Sequence, residues 1–409
     1  MPYELRRQLT TVGVTGTNGK TSTTRLTAAC LARLARPVAQ VTTLGAFLDD
    51  EPFAATSDFD GFMSAMQAGA TRGGRFAAVE TTSEALALGF ASAWPCAVGI
   101  FTNLTRDHLD AHGSAEHYLA SKAQLFAHLP AGGTAVLNVA DPASTLLLEV
   151  LPPGVRVAGY AAESRGPSVR DPELRAVAVE SSWCGTSIVI AASGELAHAP
   201  RALRIRAIGD VYAENALAAL AAALVLGVRP DDAAAALEQA PTVPGRFELV
   251  DPDAPLRVVV DYAHTPDALA RTLITARGLC EGNLWVVLGA GGERDQGKRA
   301  AMGSAASAAD HVMVTSDNPR SEDPARIAAA IREGVTASPE LHILLDRRRA
   351  IRSAVTAAGE KDVIVIAGKG HEKAQITRGR AQAFDDVAEA RAALATRGRR
   401  RTRADGETQ

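Results

Sequence analysis

Thr15-Gly-Thr-Asn-Gly-Lys-Thr21 is the segment that most restricts how this chain can fold. It stands between a short apolar run, Leu9–Val14, and a stretch of helical periodicity, Thr21–Leu34. A glycine-rich loop between a strand and a helix lets backbone N–H groups approach an anion closely, and the helix N-terminus adds its positive dipole end. Lys20 is then placed to neutralise the outer phosphates of a nucleotide, and Thr21 to offer a hydroxyl to Mg²⁺. The loop departs from the generic form: its glycines are Gly16 and Gly19, and Val14 stands where the first glycine of that form would be.

Further strand candidates are Phe76–Glu80, Ala97–Thr102, Thr134–Asn138, Arg257–Asp261, Leu284–Gly289, His311–Thr315 and Asp362–Ala367. They alternate with helical stretches such as Leu217–Leu226, which implies parallel sheets covered on both faces. Alternating apolar residues over Ser187–Ala191 and Leu203–Ile205 suggest an antiparallel edge or excursion. The turn-rich Pro241-Thr-Val-Pro-Gly-Arg246 is the best domain boundary.

Composition narrows the function. With 409 residues the prior is two to three domains at roughly 150 residues each. A net charge of −3 and 4% aromatic residues give no basis for nucleic-acid or anionic-membrane binding. No apolar run approaches the roughly 20 residues of a membrane span, and residues 1–10 hold no apolar signal segment. Cys30, Cys96, Cys184 and Cys280 lie far apart and read as reduced thiols, so a cytoplasmic location is expected.

The loop and the segments that follow it resemble the Mur ligase family, which includes the folylpolyglutamate synthetases. The resemblance runs through Glu80-Thr-Thr-Ser-Glu-Ala-Leu86, Thr102-Asn-Leu-Thr-Arg-Asp-His-Leu-Asp110 and Tyr118-Leu-Ala-Ser-Lys-Ala-Gln-Leu-Phe126. It continues through Asn215, Pro244-Gly-Arg-Phe-Glu248, Asp261-Tyr-Ala-His-Thr-Pro266 and Gly289-Ala-Gly-Gly-Glu-Arg-Asp295. Asp317-Asn-Pro-Arg320 and Gly368-Lys-Gly-His-Glu372 complete the set. Within the family these segments match best the branch that adds the third residue of the muramoyl peptide stem. The fold implied is an α/β P-loop ATPase central domain with a parallel sheet, followed by a Rossmann-like α/β domain. The central ATP-binding domain is expected over 1–242, a C-terminal amino-acid-binding domain over 243–396, and a disordered basic tail over 397–409.

The resemblance implies an ADP-forming ligase: ATP phosphorylates a carboxylate, and an amine attacks the acyl phosphate. Gly16, Thr17, Asn18, Gly19, Lys20 and Thr21 would hold ATP, with Asn215 near the adenine, Asp261 on the ribose and Arg246 reaching the γ-phosphate. Two Mg²⁺ ions are implied. Thr21 and Glu80 would serve the first, Glu80 and His108 the second, and Lys122 would carry CO₂ as a carbamate that organises the metal site. From spacing alone Lys122 is an ordinary helical lysine; Asp261 could be a turn cap, Arg246 a linker charge, and the role of His264 is open. Lys20, Glu80, His108 and Lys122 form the implied catalytic set. For the amino acid, Arg294, Asn318, Arg320, Gly368 and Glu372 match the family's contacts. An arginine suits the distal carboxylate of diaminopimelate and repels the ammonium of lysine.

Two departures concern the acid substrate. The phosphate loop begins within about fifteen residues of Met1, so the family's N-terminal uridine-nucleotide domain is expected to be absent. The family's E-x-S-S-H-G-L segment carries Glu84 in place of histidine, with Phe90 in place of an arginine six residues on, and its Thr-Thr-Pro segment is blurred to Ala55-Thr56-Ser57-Asp58. Both changes fall on the side that should bind the anionic muramoyl peptide. The expectation is therefore an amide ligase that takes diaminopimelate or a relative and an acid that is not UDP-linked. The alternatives are a cell-wall UDP-MurNAc-L-Ala-D-Glu:diaminopimelate ligase and a non-catalytic nucleotide or amino-acid sensor. Small-molecule substrates are expected, with no nucleic acid and no membrane, in a chain compatible with a monomer.

Overall fold

The computed structural model describes residues 2–54, 58–107, 112–336 and 339–406, with backbone only for residues 2, 3, 54 and 400–406. The chain divides into two compact units: Met1–Thr105, Ala111–Glu180 and Cys184–Pro241 form the first, and Arg106–Asp110, Ser181–Trp183 and Thr242–Gln409 the second.

The first unit is built on an eleven-stranded sheet of β1 (Thr10–Thr15), β2 (Val38–Thr42), β3 (Gly45–Leu48), β4 (Glu51–Ala54), β5 (Phe76–Glu80), β6 (Val98–Phe101), β7 (Thr134–Asn138), β8 (Arg156–Ala162), β9 (Leu174–Ser182), β10 (Gly185–Ala192) and β11 (Ala202–Ile205). Their order is β11-β10-β9-β8-β7-β6-β1-β5-β2-β3-β4. From β2 to β9 the neighbours run parallel. These central strands read as near-continuous apolar runs because helices cover both faces. The alternating segments Ser187–Ala191 and Leu203–Ile205 pair as an antiparallel edge, β10 with β11.

Two helices fix the site. The helix Asp210–Val225 is rich in alanine and is buried nearly all round, which only an interior helix can be. It starts seven residues before the stretch read from sequence, because polar Asp210, Glu214 and Asn215 belong to its first turns. The helix Ala115–Ala127 lies directly on the sheet. A Cβ added to Gly13 of β1 would come within 2.8 Å of Leu125 Cδ1, and one on Gly99 of β6 within 3.3 Å of Phe126 Cε1. Small residues in these strands thus let the helix settle, and Lys122, about one turn earlier, is carried down to the phosphate loop.

The second unit holds β12 (Glu248–Leu249), β13 (Arg257–Asp261), β14 (Leu284–Leu288), β15 (His311–Val314), β16 (Glu340–Ile343) and β17 (Val363–Ala367), in the order β12-β13-β17-β14-β15-β16. All but β12 are parallel. A small hairpin, β18 (Ala374–Thr377) with β19 (Arg380–Ala383), follows. Under the sheet Arg347 and Asp386 form a fully buried ion pair at 2.7 Å, and Arg347 also donates to the Ala367 carbonyl at 2.9 Å.

The basic segment after residue 396 differs from the disordered tail read from sequence. The helix Asp386–Gly406 runs through it. Alanine and arginine are strong helix formers, and Arg397 donates to the carbonyls of Val355 and Ala358. Residues 407–409 lie outside the described residues. No helix among the described residues is long and apolar enough to cross a membrane.

Candidate active site

In both sheets the chemistry-bearing residues follow the carboxyl ends of parallel strands, where α/β folds place their ligands. In the first unit these are the loop after β1, Thr43 after β2, Glu80 at the end of β5, Thr102 after β6 and Asn138 at the end of β7.

The phosphate loop needs its glycines. Gly16 and Gly19 have φ of 146° and 85°, conformations that side chains resist. A Cβ at Gly16 would lie 1.9 Å from Thr102 Oγ1, and one at Gly19 would lie 2.4 Å from Asn215 Oδ1. The loop is laced to Thr102–Thr105. The Asn18 amide donates to Asn103 Oδ1 at 2.9 Å, and Thr102 Oγ1 donates to the Asn18 carbonyl at 2.6 Å. The Thr105 amide donates to Thr17 Oγ1 at 3.0 Å. Lys20 Nζ folds over the loop onto the carbonyls of Thr17 and Gly16, at 2.8 and 3.1 Å.

Thr21 and Glu80 meet: Thr21 Oγ1 donates to Glu80 Oε2 at 2.8 Å, and the Thr43 amide donates to the same oxygen at 3.2 Å. A hydroxyl beside a buried carboxylate is a hard oxygen set that suits Mg²⁺. Lys122 is 1% exposed. Its Nζ donates to the Gly16 carbonyl at 2.7 Å and sits 4.2 Å from the centre of the Tyr118 ring. Tyr118 in turn donates from its hydroxyl to Thr17 Oγ1 at 3.3 Å. His108 lies outside the described residues. Asn215, which the resemblance put near the adenine, stands against Gly19.

On the acid side, Thr82 caps the short helix Ser83–Ala87, and Glu84 is exposed on it. Phe90 is turned inward, edge-on to Phe62 at 5.3 Å. Ser83 Oγ lies 2.9 Å from His112 Nε2. Residues 55–57 lie outside the described residues, and Asp58 caps the helix Phe59–Thr71 by accepting from the Gly61 amide.

In the second unit the turn at Gly245 and the segment after β17 touch backbone to backbone: a Cβ on Gly245 would lie 2.2 Å from the His371 amide nitrogen. Arg246 emerges from this turn with its guanidinium 4.3 Å from the centre of the Tyr262 ring. Asp261 caps the same turn. It accepts from the amides of Phe247 at 2.6 Å and Ala263 at 2.8 Å, and from Thr272 Oγ1 at 3.3 Å. Burial raises its pKa, opposed by Arg246. His264 Nδ1 lies 2.9 Å from the Tyr262 carbonyl oxygen, and its Nε2 lies 3.4 Å from Asp107. Asp107 also pairs with Lys298 at 3.0 Å.

Asn318, Gly368 and Glu372 form one constellation around a lysine that sequence reasoning passed over. Lys369 is fully buried; it donates to Asn318 Oδ1 at 3.1 Å and Glu372 Oε2 at 2.9 Å, and lies 3.7 Å from Asp317. Asn318 donates to Glu372 Oε2 at 2.7 Å. Gly368, at φ 114°, leaves room for Asp317, whose Oδ2 would be 2.5 Å from a Cβ there. Burial raises the pKa of Asp317 while Arg347 and Lys369 lower it. The signal for Lys369 was present, since it lies inside Gly368-Lys-Gly-His-Glu372.

Arg294 and Arg320 converge on Gly291: a Cβ there would lie 3.1 Å from Arg320 Nη1 and 3.5 Å from Arg294 Cγ. Arg320 is held at φ 52°, a strained conformation costing on the order of 1–3 kcal/mol. Its amide donates to the Ile376 carbonyl at 3.0 Å, and its Nη1 to the Gly292 carbonyl at 2.6 Å. The guanidinium keeps further N–H groups for a ligand.

A glycine-rich phosphate loop beside a hydroxyl–carboxylate pair, followed by a second α/β unit, is the arrangement of a nucleotide-dependent α/β enzyme. Comparison with known proteins agrees. The Mur ligase middle domain matches residues 14–223, and the Mur ligase glutamate ligase domain matches residues 245–370. A UDP-N-acetylmuramoyl-L-alanyl-D-glutamate--2,6-diaminopimelate ligase of Ralstonia nicotianae is 42% identical over 406 residues, covering 95% of this chain and 77% of the relative. One of Janthinobacterium sp. (strain Marseille) is 37% identical, covering 96% and 79%. A solved structure of a ligase of that name aligns with a TM-score of 0.67 at 32% identity, over 97% of this chain and 81% of the other. The chain belongs to the Mur ligase family. Members are ATP-dependent, ADP-forming amide ligases that use Mg²⁺, and this chain is an enzyme of that class. A Mycobacterium tuberculosis folylpolyglutamate synthase complexed with ADP shares the fold at TM-score 0.72 and 20% identity, over 96% of this chain and 91% of the other.

Proposed function

We propose that this ligase joins diaminopimelate to UDP-N-acetylmuramoyl-L-alanyl-D-glutamate, the reaction named for its relatives. The observation that carries the reading is the Arg320 guanidinium beside Gly291, with Asn318 of the same segment bonded to Glu372. The Arg320 guanidinium offers N–H groups to a carboxylate, with Arg294 assigned to the same substrate, while Glu372, beside Lys369 and Asn318, offers an acceptor for the ammonium of the amino acid. A lysine substrate would bring a cation to the arginines.

The residues divide the work as follows. The loop amides and Lys20 receive the triphosphate, and Asn215, beside Gly19, is assigned to the adenine side. Thr21 and Glu80 hold Mg²⁺, which when bound screens the phosphate charge. The acceptor carboxylate oxygen attacks the γ-phosphorus, the bond to the β-phosphate oxygen breaks, and ADP leaves. The free amine of diaminopimelate then attacks the acyl carbon and phosphate departs, with the amine proton passing to solvent. Glu80, His108 and Lys122 are assigned to a second Mg²⁺. Lys122 serves there after its neutral amine has added to CO₂ to give a carbamate and one proton. Arg246 is assigned to the γ-phosphate and Asp261 to the ribose in addition to its turn contacts.

One observation favours a different acid: Phe90 is packed against Phe62 and Glu84 is exposed and anionic, where the family carries cationic groups. A substrate panel decides. ADP formation is measured with diaminopimelate and either UDP-MurNAc-L-Ala-D-Glu or acids lacking the nucleotide. Fastest turnover with the nucleotide at micromolar concentration supports the proposal; turnover confined to the other acids overturns it.

A further inference from the structure

The second sheet ends in a cluster that the ligase reaction does not use. β15 and β16 pair in parallel, with His311 beside Glu340 and Met313 beside His342. Residues two apart on a strand share a face, so His311, Glu340 and His342 stand on one face at the margin of the sheet. β16 is its last strand. One ligand-type atom from each residue lies within 4.8 Å of the other two. Glu340 stands between the rings, with Oε2 3.1 Å from His311 Nδ1 and Oε1 3.0 Å from His342 Nε2.

The three groups are unequally fixed. His311 is stacked on Trp285 with ring centroids 3.8 Å apart and planes 13° from parallel. Trp285 is itself pinned by its indole N–H, which donates to Asp362 at 3.0 Å. The Nδ1 of His311 is shielded from solvent and makes no hydrogen bond among the described residues. Its contact with Glu340 therefore has the length of a hydrogen bond without the direction. Glu340 and His342 are 60% and 44% exposed at their side chains and are able to turn. One rigid ligand with an uncommitted ring nitrogen thus faces two adjustable ones.

We propose that His311, Glu340 and His342 bind a late first-row divalent cation, with Zn²⁺ as the best match. Two imidazoles and a carboxylate form a donor set suited to Zn²⁺, Ni²⁺ or Cu²⁺ and poorly suited to Mg²⁺. Around Zn²⁺ at about 2.0–2.1 Å, tetrahedral ligand atoms are about 3.3–3.4 Å apart, so the present separations close with small rotations. Water completes the fourth position. The site lies at the amino ends of β15 and β16, whereas Asp261, Gly289, Asp317 and Gly368 follow the carboxyl ends of their strands. A cation here ties the edge strand β16 to β15, and holds no reacting group. A carboxylate shared by two histidines without a metal gives the same distances but retains no cation.

The test uses the full chain without a polyhistidine tag, stripped with chelator and held in millimolar Mg²⁺ to fill hard-oxygen sites. Zn²⁺ is titrated against a chromophoric chelator. The expected result is one Zn²⁺ per chain in the micromolar range or tighter, with a Zn²⁺-dependent rise in Tm. Affinity should fall at least tenfold in His342→Ala and in Glu340→Gln, and the Tm rise should vanish. Both side chains stand at the exposed margin of the sheet, so these variants are expected to fold even if His311→Ala does not. Cys184 is an exposed rival ligand, and Cys184→Ser should keep the site. Binding weaker than 100 μM in the unmodified chain, or equal affinity in His342→Ala and Glu340→Gln, overturns the proposal.

Discussion

Lys122 donates from Nζ to the carbonyl of Gly16 at 2.7 Å, so a fully buried lysine on one helix is joined to the first glycine of the phosphate loop. The contact depends on Gly13 and Gly99, which let that helix lie close on the sheet. In the proposed mechanism this lysine carries the carbamate beside the phosphate loop. Lys122→Ala should reduce kcat at least a hundredfold, because an anionic metal-organising group is lost. Formate or acetate should restore part of the rate, and Lys122→Arg should not respond to them. Steady-state ADP release measures all three. Near-normal turnover in Lys122→Ala would remove the carbamate from the account.

Gly19 is the clearest steric constraint in the loop. Gly19→Ala forces a side chain into φ 85° and drives its Cβ to 2.4 Å from Asn215 Oδ1. The backbone cost alone is about 1–2 kcal/mol. The KM for ATP should rise tenfold or more, with circular dichroism unchanged and the KM for the amino acid little altered. An unaltered ATP affinity would mean that the loop does not cradle phosphate.

The sequence carried most of this arrangement because buried parallel strands and glycine loops leave local marks. Phe76–Glu80, Thr134–Asn138 and Arg257–Asp261 appear as strands at the bounds read from residue pattern. The residues that escaped notice act through distant partners. Asn103 matters because it faces Asn18, and Asn138 because it donates to Glu214 at 3.2 Å. Lys369 matters because Asn318 and Glu372 converge on it. Such meetings depend on strand order, which no window of sequence displays. The tail after residue 396 departs from its sequence pattern for the opposite reason: a run of arginines implies solvation, while Arg397 reaches carbonyls some forty residues away.

Arg320 should distinguish the two substrates. A bidentate charge-assisted pair is worth about 1.5–3 kcal/mol, so Arg320→Ala should raise the KM for diaminopimelate roughly ten- to a hundredfold. The KM for ATP should change less than threefold. Equal losses for both would make Arg320 a structural residue that only holds the Gly292 carbonyl.

The cysteines give a test of packing. Burial pushes the thiols of Cys30 and Cys96 up to about 12, and only the thiolate reacts rapidly. At neutral pH a thiol reagent should label Cys184 first in the native protein and Cys280 more slowly, because partial burial raises its pKa, and all four cysteines in urea. Mass spectrometry of the native protein showing four labels would contradict the described core of the first unit.

The central claim is that ATP cleavage to ADP is tied to amide formation with diaminopimelate. The most direct measurement follows ADP and the ligated product together, with UDP-MurNAc-L-Ala-D-Glu, diaminopimelate and Mg²⁺ present. One ADP per new amide bond is expected, with ADP release falling to background when the amino acid is omitted or replaced by lysine. Release of AMP and pyrophosphate, or equal product with lysine, would contradict the account.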